Sequence, residues 1–163
     1  MKSRANLWRT LIFVAFAGPG PVIGLVPWWI SGWQVPTPIA PRRYLGLLML
    51  IVGFVPLADS ITRFVREGHG TPAPPYPTQT LVVTGLYRLV RNPMYVGVLL
   101  MIFGQAVFFA NRHIAIYGAC AAVIVHMFVV FYEEPTLRTR YGAEYERFCQ
   151  HVGQWIPRLA RRS

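Results

Sequence analysis

Four apolar stretches, residues 7–33, 44–64, 94–110 and 114–132, constrain this chain more than any other feature. Each approaches the ~20 residues that a helix needs to cross ~30 Å of hydrocarbon. The third and shortest would still reach about 26 Å at a helical rise of roughly 1.5 Å per residue. At 163 residues, 54% of them apolar, the chain has room for one domain whose solvent is the bilayer. The expected fold class is all-α, a polytopic membrane protein with about four transmembrane helices and residues 1–163 as a single membrane domain.

Lys2, Arg4 and Arg9 ahead of the first stretch also fit a cleaved signal peptide, but the apolar run is too long and no small-x-small site ends it. Gly18, Pro19, Gly20, Pro21, Gly24 and Pro27 lie inside that run. A kinked or interrupted span is therefore expected, tolerable only where neighbouring helices satisfy the backbone groups it frees.

A net charge of +10 invites a nucleic-acid reading, but the placement of the charges excludes it. With four spans and the N-terminus inside, only Arg42, Arg43 and Arg112 of the 16 lysines and arginines fall outside. That asymmetry follows the positive-inside rule and places both termini in the cytoplasm. Basic residues flanking spans also attract anionic headgroups. Cys120 falls in the fourth span and Cys149 in the cytoplasmic tail, so no disulfide is expected.

Asp59 and Arg63 have the i,i+4 spacing of an ion pair near the membrane surface, more often structural than catalytic. Residues 67–92 form a cytoplasmic loop. Its first part, EGHGTPAPPYPTQT, is too rich in proline and glycine for a helix and reads as an extended strap. Its second part, LVVTGLYRLVRN, predicts a short interfacial helix from about Gly85 and a break before Pro93. Proline at 93 suits the first turn of the next helix, with Asn92 as its N-cap. The brief turn Asn111-Arg112-His113 makes the third and fourth spans an antiparallel hairpin. After Tyr132 and Glu133-Glu134, residues 135–152 predict an interfacial amphipathic helix, with Leu137, Tyr141, Tyr145, Phe148 and Val152 on its apolar face. Trp155 adds an aromatic anchor. His126, inside the fourth span, is expected to pack neutrally against Gln105.

The hairpin brings two helix ends to one membrane face. The third span offers free amides and partial positive charge beside Arg88, Arg91 and Asn92, which suits an anion. The fourth ends in Glu133 and Glu134, acids that oppose the helix dipole and so do not stabilise the helix. Donors on one side and acceptors on the other match a zwitterion carrying an amino-acid group, such as S-adenosylmethionine. The competing readings are local: an ordinary Asn-Pro helix start, membrane-surface arginines, and a Glu133 pairing with Arg138 or Arg140.

The run GLYRLVRNPMYVG from Gly85 to Gly97, EEPTL from Glu133, YGAEY from Tyr141 and Trp155-Ile156-Pro157 resembles the isoprenylcysteine carboxyl methyltransferase and phospholipid methyltransferase superfamily. The likeness covers residues 68–158 in order. Gly70-Thr-Pro-Ala-Pro74 is similar to the loop of bacterial members, which implies a bacterial inner membrane. The resemblance implies S-adenosyl-L-methionine bound at the cytoplasmic face by Tyr87, Arg88, Arg91, Asn92, Pro93, Tyr95 and Gly97 together with Glu133 and Glu134. Glu134, Arg91 and Asn92 are the candidate catalytic residues, and no metal is implied. It further implies a lipophilic acceptor, a carboxylate, amine or thiol, presented among membrane lipids. Many prenylcysteine enzymes have histidine where this chain has Asn92, and asparagine cannot carry a proton. Sterol-type membrane reductases using NADPH share an Arg-His-Pro-x-Tyr pattern but have longer chains, and a non-enzymatic membrane adaptor is the remaining alternative.

Overall fold

The computed structural model describes residues 18–32, 34, 40–66 and 80–158. The basic N-terminal residues, the first part of the expected first span and the proline strap lie outside these. Among the described residues the secondary structure is helical, with one isolated parallel bridge between Val90 and Gly153.

The first apolar stretch contributes two short helices, α1 (Pro19–Ile23) and α2 (Leu25–Ser31), divided at Gly24. Pro27 has no N–H for the Ile23 carbonyl four residues back, which would leave that oxygen orphaned. Gln105 covers it, its Nε2 donating to Ile23 O at 2.8 Å, and the Tyr117 hydroxyl donates to Val22 O at 3.0 Å. The expected interruption is thus satisfied from two neighbouring helices. The sequence-based expectation that Gln105 packs with His126 is therefore not met: the freed carbonyl takes its amide, and His126 meets Trp155 instead.

α3 (Arg42–Arg66) runs antiparallel to α4 (Pro93–Phe109), and glycines set the distance between them. A Cβ on Gly97 would lie 2.6 Å from Gly53 O, and one on Gly53 would lie 2.8 Å from Gly97 O. Seven residues along each helix the contact repeats, Gly46 against the Gly104 carbonyl at 2.8 Å and Gly104 against Gly46 O at 3.0 Å. Backbone therefore meets backbone along the whole seam, the small-residue packing typical of apolar helices in lipid. Leu57, Met94, Val98, Ile102, Ala106 and Ile114 form the core beside it.

α4 passes through Ala110 and Asn111 into α5 (Arg112–Phe128), where the Asn111 side chain accepts from His113 N at 2.9 Å. The expected hairpin is present. The helix does not end at Tyr132. It widens into a π-helical turn, Val129–Glu133, and continues as α6 (Glu134–Tyr141). Glu134 N donates to Val129 O, five residues back, and the wider turn makes room for the Pro135 ring that would clash in an α-helical one. The expected helix over 135–152 is likewise two, α6 and α7 (Ala143–His151). They are divided at Gly142, whose φ of 51° is left-handed and ends a helix regardless of the apolar spacing across it.

Among the described residues two helices are long and apolar enough to cross a membrane, Arg42–Phe64 and Arg112–Tyr141, and Pro93–Phe109 is shorter and apolar. Their outer faces carry exposed Leu45, Ile51, Phe54, Ile124 and Phe131, far more apolar surface than a water-soluble monomer leaves open.

Candidate active site

Tight α3–α4 packing places the last turns of α3 beside the segment leading into α4. Asp59 accepts from Arg63 Nε at 3.0 Å, as its spacing predicts, and its Oδ2 also accepts from Leu86 N at 3.1 Å. Arg63 Nη1 donates to Thr84 Oγ1 at 2.6 Å. The guanidinium crosses the spot where a Cβ on Gly85 would stand, so only glycine, here at φ 57°, permits this clamp. It fixes a 3-10 turn, Gly85–Arg88, whose Tyr87 is buried edge-on against Phe64 at 6.0 Å between centroids. Burial pushes the Tyr87 phenol up, so it stays a neutral hydroxyl.

Beyond that turn the chain meets its own C-terminal tail. Arg91 N donates to Gly153 O at 2.8 Å, and Asn92 Nδ2 donates to Gln154 O at 3.3 Å. Asn92 occupies the N-cap position of α4 as expected, but its side chain makes no cap bond. Its amide instead finds a partner in the tail carbonyl of Gln154.

Glu133, which ends the π turn, and Glu134, which opens α6, point to α4 and to the arginine before it. Tyr95 OH donates to Glu133 Oε2 at 3.1 Å, and Arg91 Nη1 lies 3.0 Å from Glu134 Oε1. Successive residues of a π turn diverge less around the axis than those of an α-helix, which lets both acids serve one face. Glu134 Oε2 also lies 3.6 Å from Arg138 Nη2, and Arg138 Nε lies 3.0 Å from Glu146 Oε1 on α7. The local pairing of Glu133 with Arg138 is therefore replaced: Glu134 takes the arginine and Glu133 takes Tyr95.

The Arg91–Glu134 pair is 12% exposed on each side. Its ion contact lacks hydrogen-bond alignment, because Arg91 Nη1 is directed to Cys149 Sγ. Arg91 Nε and Glu134 Oε1 are both buried without a hydrogen-bond partner, the latter keeping its ion contact with Arg91 Nη1. An unmet donor beside an unmet acceptor is costly in an interior, about 1–3 kcal/mol for each group. α7 roofs the pair with Tyr145 and Cys149, and burial pushes the Tyr145 phenol up.

Among the residues read from sequence, the structure gathers Arg91, Asn92, Pro93, Tyr95, Glu133 and Glu134. Tyr87 stands behind them as support. Arg88 is exposed on the 3-10 turn, and Gly97 faces Gly53 across the α3–α4 seam, so neither joins the cluster. Cys149 and the tail backbone at Gly153 and Gln154 went unread as parts of the site, and Arg138 was read only as a local partner of Glu133. The Tyr145 and Cys149 spacing of four residues along one helix face was the available signal for Cys149.

Apolar helices of membrane-spanning length with a largely buried ion pair at one end fit a helical membrane protein with a polar site at its surface. The chain belongs to the phospholipid methyltransferase family, whose profile matches residues 41–144. It is 29% identical over 143 residues to protein-S-isoprenylcysteine O-methyltransferase A of Arabidopsis thaliana, 80% of this chain and 60% of that protein. It is 32% identical over 117 residues to a probable protein-S-isoprenylcysteine O-methyltransferase of Oryza sativa subsp. indica, 70% of this chain and 60% of that protein. The chain thus spans about 60% of the length of these relatives.

Proposed function

We propose that the chain is an S-adenosylmethionine-dependent methyltransferase acting on a lipophilic acceptor at the cytoplasmic face of the membrane, in line with the names of its relatives. The observation that carries this reading is the buried Arg91–Glu134 pair with its unmet donor and acceptor. Those two atoms fit the two poles of an amino-acid group, Arg91 Nε for a carboxylate and Glu134 Oε1 for an ammonium or ribose hydroxyl. The topology that goes with it has four spans, both termini in the cytoplasm and α6 and α7 along the interface. The positive-inside charge pattern supports that arrangement, and the likeness of Gly70–Pro74 to bacterial members supports an inner membrane.

S-adenosylmethionine supplies a methyl group on a sulfonium centre, open to in-line displacement. The chain's own part is to hold, orient and dehydrate. Arg91 and Glu134 bind from opposite sides, and Tyr95 fixes the Glu133 carboxylate through its hydroxyl. Tyr145 and the tail strand at Gly153 close the site from above. Asn92, whose carboxamide does not titrate, acts as a tie to the tail through its bond to Gln154 O.

The same occupancy bears on the acceptor. Glu134 is engaged by two arginines and serves the cofactor in this reading, which leaves Glu133, bonded to Tyr95 through Oε2, as the base that an amine acceptor would need. An ionised carboxylate acceptor needs no base, so asparagine at position 92 is no obstacle to it. We therefore favour a lipophilic carboxylate, the acceptor type that fits the relatives' printed name.

Labelled S-adenosylmethionine titrated onto the purified full chain in detergent tests the proposal, with NADPH as the parallel arm. Saturable binding that Glu134→Gln weakens about thirtyfold or more is expected. No binding by demonstrably folded protein, or binding of NADPH in its place, would sink it.

A further inference from the structure

At the opposite end of the bundle Arg43 sits on the first turn of α3, with 5% of its surface exposed. Its Nε and Nη2 are buried without a hydrogen-bond partner. Its guanidinium lies 5.8 Å from the centroid of the Phe108 ring, over the ring. The glycine seam explains the burial. One turn further on, Gly46 meets the backbone of Gly104 and Phe108, leaving no gap for a layer of side chains, so the arginine stem folds against Phe108.

A buried cation without counter-charge costs several kcal/mol, roughly. An aromatic face returns about 0.5–2 kcal/mol of that. Among the described residues no carboxylate at this end supplies the rest. Of the six acids, Asp59 lies toward the far end of α3 and Glu67 follows that helix directly in sequence. Glu133, Glu134, Glu144 and Glu146 lie at the Arg91 end, in the π turn or in the helices after it.

We propose that Arg43 holds the phosphate of an anionic phospholipid in the leaflet opposite the Arg91 site. This rests on the membrane reading above. Leu47, Leu50 and Phe54 follow Arg43 at helical spacing along one face of α3, and Leu47 and Phe54 are 47% and 57% exposed. They form an apolar track that leads from the guanidinium into the hydrocarbon, where an acyl chain would lie. Inorganic phosphate offers the same charge and has no use for the track. The N-terminal end of the 25-residue α3 adds partial positive charge at the same spot.

The test uses the full chain, purified and delipidated in a neutral detergent, then titrated with phosphatidylglycerol, phosphatidylcholine or inorganic phosphate. Tm and lipid retained in native mass spectrometry are followed. One phosphatidylglycerol per chain is expected to bind saturably and raise Tm, with a weaker response to phosphatidylcholine and none to phosphate. Arg43→Gln should weaken phosphatidylglycerol binding by roughly thirtyfold or more. Arg42→Gln, on the exposed neighbour, should leave it unchanged. Inorganic phosphate matching the lipid would overturn the lipid source. Equal responses of the unaltered chain to both lipids would overturn the site itself, and that result needs no variant to fold. A chain that stays folded without detergent would remove the membrane reading and this proposal together, whereas equal lipid responses remove only the proposal.

Discussion

α4 is held by its two neighbours in opposite ways: against α3 it packs backbone on backbone, whereas against the π turn after α5 it is joined by side chains. The Gly53–Gly97 and Gly46–Gly104 contacts leave nothing that can rotate or lengthen. The Tyr95–Glu133 and Arg91–Glu134 contacts are made by groups that can exchange partners. A site that must open for a ligand belongs on the second kind of junction, and the first kind supplies the fixed wall against which it opens.

The largest effect is therefore expected in the seam. Gly97→Leu places a side chain where Gly53 O stands, so α3 and α4 must separate. Overpacking of this kind costs about 1–3 kcal/mol in ordinary cores and more where the obstacle is backbone. Loss of the monodisperse folded peak in detergent gel filtration is the expected outcome. A well-folded Gly97→Leu protein that has lost only cofactor binding would instead return Gly97 to the site, where the family resemblance puts it.

Next in size is the Arg91–Glu134 pair. Glu134→Gln removes one charge and leaves the arginine buried among uncharged partners, a change that costs roughly 2–5 kcal/mol in buried pairs. Cofactor affinity should fall about thirtyfold or more, while far-UV circular dichroism stays unchanged. If Glu134→Gln loses helicity in step with binding, the pair is a structural tie and the contrast between the two junctions disappears.

Local chemistry made part of this arrangement legible and left the rest hidden. Asn92-Pro93 marks where α4 starts, because proline both forbids and favours specific helix positions, and Asn111 marks the turn into α5 by its capping oxygen. The heptad spacing of Gly46 with Gly53, and of Gly97 with Gly104, was present as a signal for close helix packing and was not read. The π turn has no such signature. It arises from packing around Pro135, and it decides that Glu133 meets Tyr95 while Glu134 meets Arg91. The tail is similar: Gln154 engages Asn92 through a carbonyl, a group that every residue has, so no side-chain pattern announces it.

Tyr95→Phe tests the junction more gently. It removes the hydroxyl that Glu133 accepts from and keeps the ring, so the expected loss is about 1.5–3 kcal/mol of a charge-assisted bond at most. Glu133 can recover part of this from water at the open side. A fall in turnover of roughly tenfold, with Tm within a few degrees of the parent, is expected in a methyl-transfer assay. A change confined to Tm would assign Tyr95 to the scaffold side of the comparison.

The smallest effect is expected at the tail. Trp155 Nε1 donates to His126 Nδ1 at 3.2 Å, the indole and imidazole centroids 6.0 Å apart, which ties the strand after α7 back to α5. Trp155→Phe keeps an aromatic ring and loses the donor, a neutral hydrogen bond of about 0.5–1.5 kcal/mol. The tail carbonyls at Gly153 and Gln154 hold Arg91 and Asn92 through bonds the substitution does not touch. Amide exchange in residues 152–158 should therefore quicken several-fold while cofactor affinity moves by less than about threefold. If affinity instead falls as far as it does for Glu134→Gln, the tail is part of the movable junction rather than its cover, and α5 is held to α4 by three exchangeable ties instead of two.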